Sequence, residues 1–407
     1  MPILRTALVL GLLSAVGPFA IDMYLPAMPA IAAGLDADEA TTQYTLAAYF
    51  AAFGLAQLFY GPWSDQVGRK LPLCAGLGIF VVASICCVLA PSIGWLIAFR
   101  VLQGIGGAVL MVLPRAVIRD THTGPAATRL MAMVMLVISV SPMLAPLAGS
   151  ALLMIGDWRL IFWTLGLAAG FSLLLTATIL PETLAPQNRV GVNPRNLWTG
   201  CKLLFLDPVF MGLTFIGGLG FASFMVFIAS ASFVYSGQFG LSPTQFSLAF
   251  AINAVGFFAA SQAAGPISEK IGVLRVIRWA AAGFAGFTLL LLGVVLAGQA
   301  TLPIIIAGLL FGNACLGLVI PTTMVMALDP HGEIAGLASS LGGTLQVVSG
   351  AVIVVLTSLF FDGTALPMIA AIALCAVLTL VITLVTPRTI DRGALARSNV
   401  AGSSQAP

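Results

Sequence analysis

Long apolar runs alternate with short polar breaks along almost the whole chain. A bilayer core about 30 Å thick calls for roughly 20 apolar residues per helical crossing, and the chain divides into runs of that size. Reading from break to break predicts twelve helices, near 6–30, 43–62, 72–91, 94–114, 128–154, 159–180, 208–235, 244–264, 276–297, 302–323, 336–360 and 366–386. Barrel strands are excluded, because they alternate polar and apolar positions over about ten residues. The longest polar interval, about 181–207, is rich in Pro and Asn and follows the sixth run. The expected fold class is therefore an all-α integral membrane protein. Its expected parts are a six-helix bundle over 1–180, a cytoplasmic linker over 181–207, a second six-helix bundle over 208–387 and a disordered tail over 388–407.

Composition agrees: 60% of residues are hydrophobic and 8% charged, against about a quarter charged in soluble proteins. Charge then orients the chain, since cytoplasmic loops collect Lys and Arg. With the N-terminus inside, all of the 17 basic residues except Arg100 and Arg159 fall on the cytoplasmic side. Asp36, Asp38, Glu39, Asp157 and Asp362 gather on the opposite side. An even number of crossings places both termini in the cytoplasm.

Several function classes drop out. The six Cys form no C-x-x-C pair and the two His, His122 and His331, lie in polar breaks, so no metal site is expected. A phosphate-binding Gly-x-x-x-x-Gly-Lys-Ser/Thr loop is absent, because the three Lys precede Leu71, Leu203 and Ile271. Catalytic elbows and H-E-x-x-H pairs are missing too, and the loops are short; neither an enzyme, a resident cofactor nor a nucleic-acid partner is expected. A channel needs a polar stripe along several helices, whereas the polar residues here are isolated. A membrane enzyme or receptor stays open but is weakened by the lack of soluble domains.

One passage occurs twice. GPWSDQVGRK at 61–70 recurs as GPISEKIG at 265–272, at equivalent places in the two halves. Parallel six-helix repeats are the construction of a large transporter class, with the substrate site between the halves. Gly61, Asp65, Gly68, Arg69 and Lys70 resemble the signature loop G-x-L-a-D-r-x-G-R-K of the major facilitator superfamily, with Trp63 and Gln66 departing from the usual Leu and Arg. Within it, the chain resembles the bicyclomycin/chloramphenicol resistance (Bcr/CflA) branch of drug:proton antiporters. Asp22-Met-Tyr-Leu-Pro-Ala-Met-Pro29, Arg100-Val-Leu-Gln103-Gly104, Ala145-Pro146-Leu-Ala-Gly149, Asp157-Trp-Arg-Leu-Ile-Phe162-Trp and Gly336-Leu-Ala-Ser-Ser-Leu carry that resemblance. The segment with Ala145, Pro146 and Gly149 is similar to the antiporter motif G-x-x-x-G-P-x-x-G-G, with Ser141, Ala145 and Ser150 where Gly is usual.

The resemblance implies a proton-coupled exporter of amphipathic drugs in a bacterial inner membrane, working by alternating access. Export of a metabolite such as an amino acid or sugar is the alternative. It also implies that the signature loop, joined by Arg119 and Asp120, locks the two halves on the cytoplasmic side. The proton gradient is the expected energy source. A monomer is expected, since two six-helix halves already enclose a path.

Asp22 is the only acid clearly inside a predicted span, and a charged carboxylate there costs several kcal/mol unless paired, solvated or protonated. Counting residues at 1.5 Å each puts it at a depth similar to that of Arg100. A pair whose surroundings change as the cavity changes sides would couple protons to transport. The other reading makes Asp22 a cap or kink residue beside Pro18 and Pro26, with Arg100 a fixed counter-ion. Tyr24, Gln103, Asn253 and Gln346 are candidates for the substrate cavity, although a lone mid-span amide more often bonds a neighbouring helix.

Overall fold

The computed structural model describes residues 3–122, 124–189, 191 and 194–403. The first half contains α1 (Ile3–Asp22), a 3-10 turn (Leu25–Ala27), α2 (Met28–Gly34), α3 (Glu39–Val67), α4 (Lys70–Val88), α5 (Ile93–Thr121), α6 (Gly124–Ile155) and α7 (Arg159–Thr178). Helix α8 (Pro194–Leu206) lies in the linker. The second half contains α9 (Pro208–Phe233) with a π turn after it, α10 (Pro243–Ile271), α11 (Val273–Leu296), α12 (Leu302–Leu328), α13 (Ala335–Ser358) and α14 (Ala365–Ser403). Among the described residues there is no strand.

Among the described residues eleven segments are long and apolar enough to cross a membrane, with α1 and α2 counted as one. Helix α3 makes the twelfth crossing. It is less apolar because Thr42, Gln43, Thr45 and Tyr49 turn inward and are buried, so protein rather than lipid meets its polar side. The chain is a multi-pass membrane protein.

The internal repeat is visible in the backbone. Each boundary of α10 falls 204 residues after the matching boundary of α3. Both helices start on a side-chain cap. Asp38 accepts the Thr41 N–H at 2.5 Å, while Ser242 and Gln245 form a reciprocal capping box.

Three expectations need correction. The first span, read as one helix, breaks after Asp22. The signature passage, read as a loop, is mostly the end of α3, since a proline that lacks its N–H bends a long helix without ending it. Residues 388–403, read as disordered, continue α14 as helix.

The halves meet chiefly along α3 with α13 and α6 with α10. Among the described residues three hydrogen bonds cross between them, and all have the same direction. Ser232 Oγ donates to the Leu25 carbonyl at 2.7 Å, Ser247 Oγ to the Pro146 carbonyl at 2.8 Å and Thr344 Oγ1 to the Gly54 carbonyl at 2.8 Å. The first two lie toward the face that carries the α2–α3 and α6–α7 connections, called distal below. The α3–α4 turn and the linker lie on the other, proximal face.

Candidate functional site

The break in the first span follows from two prolines. Pro26 has no N–H for the Asp22 carbonyl, and Pro29 has none for the Leu25 carbonyl. The Leu25 carbonyl instead accepts the Met28 N–H at the end of the 3-10 turn and, from the other half, the Ser232 hydroxyl. The broken end of α1 also receives a cation, as Arg100 Nη1 lies 3.3 Å from the Ala20 carbonyl, where the negative end of the helix favours positive charge. Gly149 lets α6 press against this break, because a side chain there would run into the Met23 carbonyl.

Arg100 is fully buried. It lies between Tyr24 and Tyr49, with its guanidinium carbon 4.6 and 4.3 Å from the two ring centroids. Nη1 also donates to Gln103 Oε1 at 2.6 Å, and Gln103 Nε2 is fixed by Ser84 Oγ at 2.8 Å. Tyr24 is anchored in turn by Thr45 at 2.6 Å. Each desolvated cation–π contact is worth about 2 kcal/mol, so two of them and a charge-assisted bond offset much of the several kcal/mol that burying the cation costs. The offset is incomplete: Nε and Nη2 have no partner among the described residues.

Asp22 is 5% exposed, and it takes no hydrogen bond or ion pair among the described residues. The structure therefore brings an acid and an arginine to the same level, two residues apart along α1, without joining them. Tyr24 and Gln103 prove to be the packing around Arg100. Tyr49, Thr45 and Ser84 belong to the same group and carry no sequence signal beyond being polar in an apolar run.

The remaining cavity candidates lie in the second half. Asn253 is buried, bonded to the Ala249 carbonyl at 3.3 Å and to Asn313 at 3.5 Å. Gln346 lines a small cleft with Phe210, Thr214, Thr323 and Gly343.

The signature residues form a second cluster at the proximal face. Gly61 and Asp65 lie in the last turns of α3, and Gly68 makes the turn with φ +103°. Arg69 points back, donating to Asp65 at 2.5 Å, Ser64 Oγ at 2.7 Å and Asp120, at the end of α5, at 2.8 Å. Burial alone would lower the pKa of Arg69, but Asp120 and Asp65 outweigh it and raise it. Sequence reading missed Glu182. Its carboxylate accepts the N–H groups of Arg69 at 2.8 Å, Lys70 at 3.2 Å, Thr183 at 2.9 Å and Leu184 at 3.0 Å. Partial burial pushes the Glu182 pKa up, and the four N–H groups overcome this to hold it below its ordinary value. The Lys70 and Arg119 side chains take no bond or ion pair among the described residues, and no bond of the cluster reaches the second half.

The comparisons agree with this architecture. The family model described as Major Facilitator Superfamily matches residues 10–354. An uncharacterised MFS-type transporter of Bacillus subtilis, YdgK, is 34% identical, with 92% of this chain and 93% of the relative covered. The bicyclomycin resistance protein homolog of Haemophilus influenzae is 29% identical over 91% of this chain and 93% of its own. Multidrug resistance protein D of Escherichia coli is 32% identical over 86% and 88%. These names accord with the branch to which the motifs pointed. A D-xylose-proton symporter crystal structure superposes with a TM-score of 0.72 at 17% identity, covering 94% of this chain and 97% of that one, which shows the shared fold. With the repeat, the crossings and the signature turn in place, the chain belongs to the Major Facilitator Superfamily.

Proposed function

We propose that this protein exports amphipathic, drug-sized molecules of the bicyclomycin and chloramphenicol type in exchange for protons. It works as a monomer in the bacterial inner membrane, with both termini and the proximal face in the cytoplasm. The names of the relatives support the substrate class, and the one-sided distribution of Lys and Arg supports the orientation. In this reading the distal hydroxyl–carbonyl bonds of Ser232 and Ser247 hold the halves together on the outer side.

The observation that carries proton exchange is the unpartnered Asp22 at the broken end of α1. A buried carboxylate with no fixed donor depends on water or a proton for its stability. When the halves rock, the break and the Arg100 group shift together, so the access of Asp22 to each face alternates. A state that offers water or Arg100 favours the anion, and a state that offers neither favours the acid. Each pKa unit between them is worth about 1.4 kcal/mol of coupling.

The test is Asp22→Asn, which keeps the shape and removes the proton. Purified wild-type protein should release protons when chloramphenicol is added, and the variant should release none. In vesicles with an imposed pH gradient, uphill export should fall at least tenfold while downhill movement continues. Undiminished uphill export by the variant would sink the assignment.

A further inference from the structure

The distal ends of the two halves do not meet flush. A cavity of about 580 Å³ lies between them, within the range of pockets that hold drug-sized molecules. Pro26, Pro29 and Leu153 of the first half and Leu241 and Pro243 of the second form apolar walls.

The polar groups of the cavity are few and specific. Trp158 is 2% exposed, set edge-on to Phe162 with centroids 6.0 Å apart. Its indole nitrogen faces Gly34 and has no acceptor among the described residues. The N–H is not among the fully enclosed unpartnered atoms of the described residues, so it is open to an acceptor that enters the cavity. A side chain at position 34 would close this donor off, its first carbon falling 2.8 Å from Nε1. Arg159 stacks on the Trp158 ring at 4.2 Å, donates from Nε to the Val88 carbonyl at 3.0 Å and pairs with Asp157 at 2.7 Å. The charges on this wall therefore cancel. Ser236, from the second half, adds a hydroxyl.

We propose that this cavity is a second solute site, entered from the distal face, for neutral amphipathic molecules that carry a carbonyl oxygen. The oxygen takes the Trp158 N–H, and the apolar body covers the proline and leucine walls. A charged ligand is disfavoured, since the compensated Arg159–Asp157 pair repays none of its lost hydration. The walls come from both halves, so the site exists as built only while the distal ends are together. An occupant therefore stabilises that arrangement by mass action and delays its opening. An exporter so equipped is slowed by its own product accumulating outside; this consequence rests on the export reading, whereas the site does not.

The test uses the full chain in lipid vesicles, an Ala30→Cys variant and a membrane-impermeant maleimide, with chloramphenicol as the neutral, amide-bearing probe. Ala30 is exposed and lines the cavity; labelling of the six native Cys is the background. Saturating chloramphenicol should slow labelling at least fivefold. Trp158→Phe should raise the half-protecting concentration about fivefold, as expected for one lost hydrogen bond. Ser236→Phe, which fills the cavity from the opposite half, should abolish protection. Absence of protection up to the solubility limit overturns the proposal. So does protection that survives both cavity variants unchanged, which would put the drug elsewhere in the molecule. No transport is measured, so this site and the export reading can fail separately.

Discussion

At Gly68 and at Gly272 the chain leaves one long helix and enters the next through the same left-handed step, with φ +103° and +90°. In both turns the glycine N–H returns to a serine carbonyl, Ser64 at 3.1 Å and Ser268 at 2.9 Å. The surroundings differ. In the first turn Ser64 Oγ accepts from Arg69, and Glu182 fills the space beside Gly68. In the second, Val273 stands where Arg69 would and, among the described residues, Ser268 Oγ is buried without a partner and nothing lies within 4 Å of the space beside Gly272. Glu269 and Lys270 take no partner among the described residues. Duplication preserved the backbone of the turn, which glycine alone can make, while the side chains that brace it survive in one copy. The same division runs through the molecule: the first half holds Asp22 and Arg100, and the second half supplies hydroxyls to first-half carbonyls.

The largest expected effect comes from making the first turn like the second. Arg69→Val removes a buried cation from Asp65, Asp120 and Ser64 at once. Losing one partner of a buried charge network costs 3–5 kcal/mol, and because Asp65 stays half-exposed the expected loss is about 3 kcal/mol. Reversible unfolding in mixed micelles measures it. Transport should fall more than tenfold while chloramphenicol binding persists, because the cluster lies away from Asp22; equal loss of both would show that it shapes the binding site.

Gly68→Ala and Gly272→Ala separate backbone strain from the brace. Both place a side chain where φ is positive, at about 1 kcal/mol or more. Only the first collides with the Glu182 carboxylate, so Gly68→Ala should cost about 3 kcal/mol and Gly272→Ala about 1 kcal/mol. Equal losses would mean that Glu182 gives way freely.

Glu182→Gln is milder. The four N–H donors remain, but the charge that strengthens their bonds is gone, and exposure of Glu182 reduces the loss to about 1 kcal/mol at pH 7. The Glu182 pKa lies below its ordinary 4.5 in the folded protein. The contribution is therefore complete above 4.5 and fades as the pH falls through the folded value. The gap between wild type and Gln should close in acid, and a constant gap would contradict the charge argument.

These effects also mark what the sequence could reveal. The twelve crossings were legible because hydrophobic run length and bilayer thickness are local matters, and so was the signature passage, whose glycines and charges stand out in an apolar chain. The break after Asp22 was less so: Pro26 and Pro29 announce missing N–H groups, but the second bond that the Leu25 carbonyl takes comes from Ser232, 207 residues away. Glu182 and Tyr49 escaped for the same reason. Nothing near Glu182 in sequence says that its carboxylate reaches the N–H groups of Arg69 and Lys70, and a tyrosine in a helix does not reveal that it faces an arginine on another.

The smallest expected effect is the reverse exchange, Val273→Arg, which asks whether the second turn lacks only its arginine. The variant side chain would have Ser268 Oγ and Glu269 at the spacing that Ser64 and Asp65 have from Arg69. A helix-end pair four residues apart is worth about 0.3–0.5 kcal/mol, and satisfying the buried Ser268 hydroxyl adds to it. Against this stand the desolvation of the guanidinium and the loss of the valine contact. In the first turn those costs are met by Asp120 from α5 and by the carboxylate of Glu182 on the neighbouring N–H groups. The open space beside Gly272 shows no such groups in place. The net change should therefore lie within about 0.5 kcal/mol of zero, and transport should be unaltered. A gain of 2 kcal/mol or more would show that the second half still contains an acid able to reach this turn, and the asymmetry between the two copies would then reduce to a single side chain.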